Sequence, residues 1–172
     1  SQEIENKFRF ENTYRKNGWK INFGTGIEDV TYTNNTFQRI IYQGVIDTID
    51  VDSKINFIKT SLFGQISKKA YNNKLIASFG IRTDQNNYSK DMSNPLKQLS
   101  PRLSLAYAIN DKTSINFNVG KYFQLPAYTV MGYRDYNDNL INRDSGLTYI
   151  NNKHIVIGIE RNPGNFSKIT VE

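Results

Sequence analysis

The chain has 172 residues, of which 38% are hydrophobic and 13% aromatic, and it contains no cysteine. That composition fits one folded domain, argues against disorder because disordered chains lack aromatic residues, and excludes disulfides and thiolate metal sites. The net charge of +6 comes without any run of more than two consecutive basic residues, so no nucleic-acid partner is expected.

Alternation of apolar and polar residues dominates the chain and predicts β-strands, because successive strand side chains point to opposite faces. The pattern begins near Phe8 and Phe10, continues at Ile21 and Phe23, and is clearest in residues 114–123. No segment shows a helical period, so we expect helix only as a turn within a loop. The predicted strands, in chain order, are residues 3–15, 19–34, 53–68, 74–86, 100–109, 113–124, 147–161 and 166–172.

One face of most predicted strands is apolar and the other is polar. The third strand is less regular, since Phe57 and Phe63 fall opposite Ile58 and Leu62. Basic and aromatic residues mostly separate by face, whereas a nucleic-acid-binding sheet interleaves them on one face. Outside the third strand, the residues predicted to form the apolar face are Phe8, Phe10, Tyr14, Trp19, Ile21, Phe23, Ile27, Leu75, Ala77, Phe79, Ile81, Leu103, Leu105, Tyr107, Ile109, Ile115, Phe117, Val119, Phe123, Ile155, Ile157 and Ile159.

The connections between the predicted strands alternate between short and long. By these boundaries they hold about 3, 18, 5, 13, 3, 22 and 4 residues. The short ones contain Asn, Asp, Gly or Pro, which tolerate the dihedral angles of tight turns. In consecutive antiparallel strands, this alternation places all short turns at one end and all long loops at the other. Outer-membrane β-barrels have this asymmetry.

Aromatic residues gather near both ends of the predicted strands. Those near the short turns are Tyr14, Trp19, Tyr107 and Phe166, and those near the long loops are Tyr32, Phe123 and Tyr149. Aromatic rings with a polar tip are stable at the level of the lipid headgroups, so this distribution predicts two aromatic girdles. Aromatic residues also favour strands in general, which is the simpler explanation of the same pattern.

Together these features predict an all-β fold, an antiparallel up-and-down meander of about eight long strands that forms part of a transmembrane outer-membrane β-barrel. No apolar run reaches the roughly 18 residues of a membrane-spanning helix, but barrel strands alternate and are hydrophilic on average. Two alternatives stay open. One is a complete small eight-stranded outer-membrane barrel with a structural or adhesion role. The other is a soluble lipocalin-like ligand binder whose apolar faces point inward.

Four short segments stand in a particular order along the chain. They are residues 79–84 (FGIRTD), 99–107 (LSPRLSLAY), 120–126 (GKYFQLP) and 157–163 (IGIERNP). The second is a Pro-Arg entry into a strand, the third an exit into a long loop, and the fourth precedes a short turn. Together they resemble TonB-dependent outer-membrane receptors of the Bacteroidetes type. The resemblance covers residues 55–172 well and the first 50 residues loosely.

This resemblance implies a barrel of about 22 strands around an N-terminal plug, located in the bacterial outer membrane. It also implies active nutrient uptake driven through TonB, the substrate being a siderophore, a cobalamin-like cofactor, an oligosaccharide or a peptide. Residues 1–172 would then be one incomplete barrel segment without a plug. The implied partners are outer-membrane lipid, the rest of the barrel and plug, the TonB system and a surface lipoprotein. Neither an enzymatic activity nor a cofactor is expected.

The long loop of residues 125–146 carries aromatic rings and guanidinium groups, which suit sugars, aromatic siderophores or peptides. The resemblance implies that extracellular loops and the plug bind substrate together. We therefore expect substrate contact from some of these side chains, the simpler alternative being that they only pack the loop. The candidate substrate-binding residues are Tyr128, Tyr133, Arg134, Tyr136 and Arg143.

Neither a catalytic centre nor a metal site is predicted. His154 is the only histidine, and no spacing ties a serine to it as a Ser–His hydrolase would require. Residues 135–139 resemble the start of a calcium loop, but Leu140 and Gly146 stand where this loop needs Gly and an acid. An acidic set in the first long loop is a second incomplete candidate, and it consists of Asp47, Asp50 and Asp52.

Overall fold

The computed structural model describes residues 1–42, 45–135, 137–164 and 167–172. It contains one eight-stranded antiparallel sheet in which each strand pairs with the next along the chain, confirming the predicted all-β meander. The strands are β1 (Gln2–Lys16), β2 (Trp19–Tyr42), β3 (Val45–Ala70), β4 (Leu75–Asn86), β5 (Ser100–Asn110), β6 (Thr113–Gln124), β7 (Ile150–Gly164) and β8 (Ser167–Val171). Among the described residues β1 and β8 do not pair with each other, so the sheet is open.

Among the described residues, helix is confined to two single turns in the loop between β6 and β7, as predicted. They are α1 (Tyr128–Met131) and α2 (Ile141–Asp144). Neither they nor any other helix in the described ranges has the length and apolar character needed to cross a membrane.

The first three short turns lie where the sequence predicts them. Between β1 and β2, Asn17 and Gly18 have φ of 50° and 76°, which is the left-handed conformation that Asn and Gly adopt at little cost. Between β3 and β4, the residues Tyr71, Asn72 and Asn73 also have positive φ. Tight turns of this kind keep neighbouring strands in one continuous register.

Cross-strand pairing places the predicted apolar side chains on one face, here called the apolar face. In one row across four strands, Phe79 pairs with Leu103, Leu103 with Val119, and Val119 with Ile155. No part of the described chain covers this face. The residues of this face that keep more than a third of their surface exposed include Phe8, Phe10, Tyr14, Trp19, Ile21, Phe23, Ile27, Ile58, Leu62, Ile66, Phe79, Ile81, Leu103, Tyr107, Ile109, Ile115, Ile155, Ile157 and Ile159.

The opposite side, here called the polar face, carries the charged residues of the alternation. It also carries a compact core, which lies at the long-loop end. Val30, Tyr32, Ile55 and Phe57 rise from β2 and β3, and loop residues pack against them. This set, here called the loop core, consists of Val30, Tyr32, Ile55, Phe57, Tyr88, Met92, Met131, Leu140 and Tyr149. It explains the irregular third strand, since Phe57 belongs to this core.

The predicted ends of the second and third strands are wrong on the loop side. The sequence predicts strands ending at residue 34 and restarting at 53, with an 18-residue loop between them. Instead β2 and β3 stay paired from Asn35 and Asp52 to Tyr42 and Val45. Asn35 Nδ2 donates a 2.6 Å hydrogen bond to Asp52 Oδ1. Apolar residues of this extension, such as Phe37, Ile40 and Ile41, fall on both sides of the alternation, so no clean period of two marks the continued backbone pairing.

The seventh strand is also displaced from its prediction. It was expected over residues 147–161, with a turn at 162–165, but β7 runs from Ile150 to Gly164. Its first predicted residues belong to the preceding loop, because Tyr149 is buried in the loop core. At the other end the pairing with β8 shifts register between Arg161 and Gly164, so the strand continues through a bulge.

The predicted aromatic girdle at the long-loop end is wrong, whereas three rings predicted near the short turns have the exposure that a girdle requires. Tyr14, Trp19 and Tyr107 lie exposed on the apolar face. By contrast, Tyr32 and Tyr149 are buried in the loop core. Phe123, predicted on the apolar face, packs against the same core. Alternation explains Tyr32, which lies on the polar face of β2, whereas Tyr149 belongs to the loop before β7 and Phe123, near the end of β6, departs from its alternation to reach the core. Phe166 lies outside the described residues.

Candidate functional site

Two loops fold over the polar face at the long-loop end of the sheet. We call residues 87–99 the first capping loop and residues 125–149 the second capping loop. Tyr88 joins them, since its hydroxyl donates a 2.6 Å hydrogen bond to the carbonyl of Met131. The second loop is also tied to the wall, because Ser53 Oγ donates to the carbonyl of Gly132 and Asn86 Nδ2 donates to Tyr149 Oη at 2.9 Å. The loops therefore form a fixed cap.

Gly132 is the point of closest approach between the second capping loop and the wall. A Cβ atom there would stand 2.8 Å from Ser53 Oγ and 3.1 Å from the Tyr32 ring. We expect Gly132→Ala to displace the loop and to destabilise its closed position by about 1–3 kcal/mol, the usual cost of overpacking. Hydrogen exchange of residues 125–149 in the complete receptor measures this. Gly146→Ala is the control. A Cβ atom there would meet nothing within 4 Å, but φ is +82°, so this variant introduces backbone strain without crowding.

The hydroxyl of Tyr32 is buried and has no hydrogen-bond partner among the described residues. A buried polar atom without a partner costs its desolvation free energy. We expect Tyr32→Phe to keep the ring packing and to raise the stability of the capped state by about 1 kcal/mol. Thermal unfolding of the complete receptor checks this, and a clear loss of stability would show that the hydroxyl has a partner in the assembled receptor.

An ion cluster ties the second capping loop to β1, β2 and β3. Lys59 Nζ lies 2.6 Å from Glu28 Oε2, 3.1 Å from Glu5 Oε1 and 2.9 Å from Tyr128 Oη. Tyr128 also donates its hydroxyl to Glu5. We call these four residues the anchor cluster. Lys59 is only 19% exposed, so its charge depends on these partners instead of on water.

Beneath the cap the polar face forms a cleft of about 330 Å³, here called the polar cleft. Arg82 and Asp84 form a bidentate pair within it, with Nε–Oδ2 at 2.8 Å and Nη2–Oδ1 at 2.6 Å. Arg102 instead stacks on the ring of Tyr122, with its guanidinium carbon 4.4 Å from the ring centroid. The main residues lining the cleft are Glu28, Lys59, Arg82, Asp84, Arg102 and Tyr149.

Tyr149 closes the polar cleft at the long-loop end. Burial raises its pKa to about 12, and the hydrogen bond from Asn86 opposes that rise. Burial likewise raises the pKa of Tyr88. Both hydroxyls therefore stay protonated at neutral pH. In the first capping loop, the Lys97 ammonium lowers the pKa of Asp91, which keeps that carboxylate charged.

The structure places the predicted substrate-binding residues in different surroundings. Tyr128 is part of the anchor cluster, and its ring packs against Tyr32 and Phe57, with centroid distances of 6.0 and 5.6 Å. Arg134 is mostly buried, donating to the carbonyls of Asp138 at 2.7 Å and Lys54 at 3.2 Å. These two side chains hold the loop in place.

The other predicted site residues lie at or near the surface of the second capping loop. Tyr133 is exposed. Arg143 is half-exposed and its Nε lies 3.2 Å from Asp144 Oδ1. Tyr136 lies outside the described residues. The loop thus presents Tyr133 and Arg143 outward, whereas Tyr128 and Arg134 face the wall.

The remaining sequence candidates have ordinary structural partners. His154 lies on the polar face with its ring 5.1 Å from that of Tyr122, in an edge-to-face arrangement. Asp135 accepts hydrogen bonds from the backbone N–H groups of Asn137 and Asn139, which closes a turn. Among the described residues, no three His, Asp or Glu side chains are grouped to hold a metal. The side chains of Asp47 and Asp50 fall outside that description.

Sequence reasoning missed the residues of the anchor cluster and the polar cleft. Lys59, Arg82 and Arg102 sit at polar positions of the alternation, so the pattern assigns their face but gives no sign of a common site. Only the strand register brings Lys59 beside Glu28 and within reach of Glu5. Charged residues of opposite sign at polar positions that pair across neighbouring strands are the sequence signal that identifies such a site.

The sheet, with one face apolar and exposed and the other polar and capped by loops, has the character of the wall of an outer-membrane-type β-barrel. A family model described as "TonB dependent receptor-like, beta-barrel" matches residues 2–165. The chain belongs to this family of TonB-dependent receptor β-barrels, which lie in the bacterial outer membrane and act as receptors and transporters instead of enzymes.

In structure the chain is similar to the copper transporter OprC, with a TM-score of 0.67 at 16% sequence identity. The match covers 94% of this chain and 28% of the transporter, so the chain spans little more than a quarter of that protein's length. At this identity the likeness shows the fold alone. A search of curated proteins finds no match to the chain.

Proposed function

We propose that the complete receptor takes up a scarce nutrient across the outer membrane, powered through TonB, and that this chain forms part of its wall and two loops over its interior. The observation that carries this proposal is the two-sided sheet, apolar and exposed on one side, polar and capped on the other. Such a wall separates lipid from a polar interior. The open sheet supports a place within a larger barrel, because unpaired strand edges are costly in lipid.

Gene deletion in the native bacterium tests the transport. We expect deletion of the receptor to abolish uptake of one labelled nutrient among ferric siderophores, cobalamin, oligosaccharides and peptides. Deletion of TonB should abolish the same uptake, and the receptor gene on a plasmid should restore it. Unchanged uptake of every nutrient would contradict the proposal and favour the structural or adhesion role.

Within this function, the polar cleft favours a substrate that carries a negative charge. Lys59 is paired with Glu28, and Arg82 with Asp84, but Arg102 forms no ion pair among the described residues. The cleft thus keeps one uncompensated guanidinium, held in place by the Tyr122 ring. A guanidinium binds a carboxylate or a similar planar anion through two parallel hydrogen bonds. This supports a siderophore or peptide carboxylate over a neutral oligosaccharide.

Arg102→Gln and Arg9→Gln form a matched pair for this assignment. Both arginines stack on a ring of the polar face, but Arg9 is already paired with Glu11 at 2.8 Å. We expect Arg102→Gln to raise the half-saturating concentration of an anionic substrate about tenfold, the effect of one charged hydrogen bond. Arg9→Gln should leave it nearly unchanged. Equal effects of the two variants would contradict a specific role of Arg102.

Tyr133 and Arg143 are proposed to make the first contact with substrate at the loop surface. Their support is exposure on the second capping loop, together with an aromatic face and a guanidinium suited to such ligands. Tyr133→Ala and Arg143→Ala are expected to weaken substrate binding without loosening the loop. Hydrogen exchange of residues 125–149 distinguishes that result from a loss of loop structure.

A further inference from the structure

Two lysines stand directly opposite each other on the apolar face, at Lys121 of β6 and Lys153 of β7. They occupy the same alternation as Val119 and Ile155 and lie three residues from the long-loop end of each strand. Like charges directly opposite in an antiparallel pair destabilise a sheet. Neither lysine forms an ion pair among the described residues, although Lys121 Nζ lies 4.6 Å from the centroid of the Phe123 ring. We call them the lysine pair.

Next to the lysine pair the apolar face forms a groove of about 330 Å³. Its floor is the four-strand row of Phe79, Leu103, Val119 and Ile155, with Pro101 beside it. Phe79 and Ile155 are 49% and 72% exposed, so protein does not fill the groove. The lysines lie two residues nearer the loops, which is about 7 Å along a strand.

This arrangement combines an apolar surface with a doubly positive rim. Lipid acyl chains cover an apolar barrel face, and long basic side chains reach from such a face toward the headgroups. Two adjacent ammonium groups without a carboxylate attract an anion, and lysine is a frequent point-charge ligand of phosphate. The charge and the groove therefore fit one kind of occupant, an amphiphile with a phosphate headgroup and acyl chains.

We propose that the lysine pair and the adjoining groove bind a phosphorylated lipid of the membrane leaflet at the long-loop end. The phosphate lies between the ammonium groups of Lys121 and Lys153, and an acyl chain lies along the row from Phe79 to Ile155. Binding removes the repulsion between the two lysines. This site concerns the outer surface of the wall and is independent of the transported substrate.

Native mass spectrometry of the complete receptor in neutral detergent tests the site, with lipid A and dephosphorylated lipid A as probes. We expect the receptor to retain the phosphorylated form preferentially. The double variant Lys121→Gln, Lys153→Gln should bind it about 30-fold more weakly, the effect of two lysine–phosphate contacts. Equal binding of the two lipids, or unchanged binding by the double variant, would overturn the proposal.

Two further variants control for charge and for folding. Lys68→Gln with Lys112→Gln removes the same charge near the short turns and should change lipid A binding less than about twofold. Lys121→Arg with Lys153→Arg keeps the charge and should retain binding. A loss in the arginine variant, with the barrel still folded by its heat-dependent migration on a gel, would refute a charge-based site. A loss in the short-turn variant would refute its location.

Discussion

Replacing Lys59 by Met is expected to release the second capping loop from the wall. The substitution removes the less exposed of the two lysines that Glu5 and Glu28 share, leaving them only the exposed Lys7, and it removes a partner of the Tyr128 hydroxyl. Breaking a buried ion pair costs about 3–5 kcal/mol, and the partial exposure of both acids lowers our expectation to about 2–3 kcal/mol. Hydrogen exchange of residues 125–149 in the complete receptor measures the change as a lower free energy of local opening.

Lys7→Met is the matched control for this prediction. Lys7 contacts the same two carboxylates, at 2.5 Å from Glu5 and 3.8 Å from Glu28, but its side chain is 55% exposed. Exposed ion pairs contribute little, so the loop should keep nearly all of its protection. If both variants opened the loop equally, or if neither did, the anchor role of Lys59 would be refuted.

Phe57→Ala is expected to have the second large effect, because it removes the centre of the loop core. The ring is 2% exposed and packs against Tyr88 and Tyr128, with centroid distances of 6.1 and 5.6 Å. Truncating a buried phenylalanine costs about 3–5 kcal/mol through lost contacts and the cavity that remains. Both capping loops should open more often, which limited proteolysis of the receptor in its membrane detects as new cleavage within residues 87–99 and 125–149.

Phe10→Ala removes the same side chain from the apolar face, where the ring is 50% exposed and no protein packs over it. No cavity forms there, so the cap should resist protease as in the unmutated receptor. Protection of the loops in Phe57→Ala would show that the cap is held by its hydrogen bonds and ions instead of by its core.

The strands and their faces follow from the sequence because alternation is a local property of the chain. The run from Ile115 to Val119 needs no knowledge of its neighbours to be assigned to one face, and the pairing with Ile155 and Ile159 agrees with it. The extension of β2 and β3 does not follow, since the rung formed by Asn35 and Asp52 is stabilised by hydrogen bonds that no apolar pattern records.

The capped end was predicted less well, because its contacts join residues far apart in sequence. Tyr32 and Phe57 occupy the polar face of their strands, and the irregularity at Phe57 was the only visible sign of a core there. Met92 and Met131 come from loops without periodicity, so nothing local marks them as core residues. The sequence predicts the loop between β6 and β7 from its aromatic and guanidinium groups, but the inward direction of Tyr128 depends on Lys59 and the strand register.

The unequal distribution of aromatic rings determines how this part of the wall sits in a bilayer. We expect Tyr14, Trp19 and Tyr107, which are exposed on the apolar face, to anchor the short-turn end at one interface, while Tyr32, Phe123 and Tyr149 are engaged in the loop core. Aromatic rings then fix the depth of this part of the wall in the bilayer at the short-turn end only. Hydrophobic mismatch in a thicker or thinner membrane is taken up at the opposite edge, where flexible lysine side chains follow the headgroups more readily than rings.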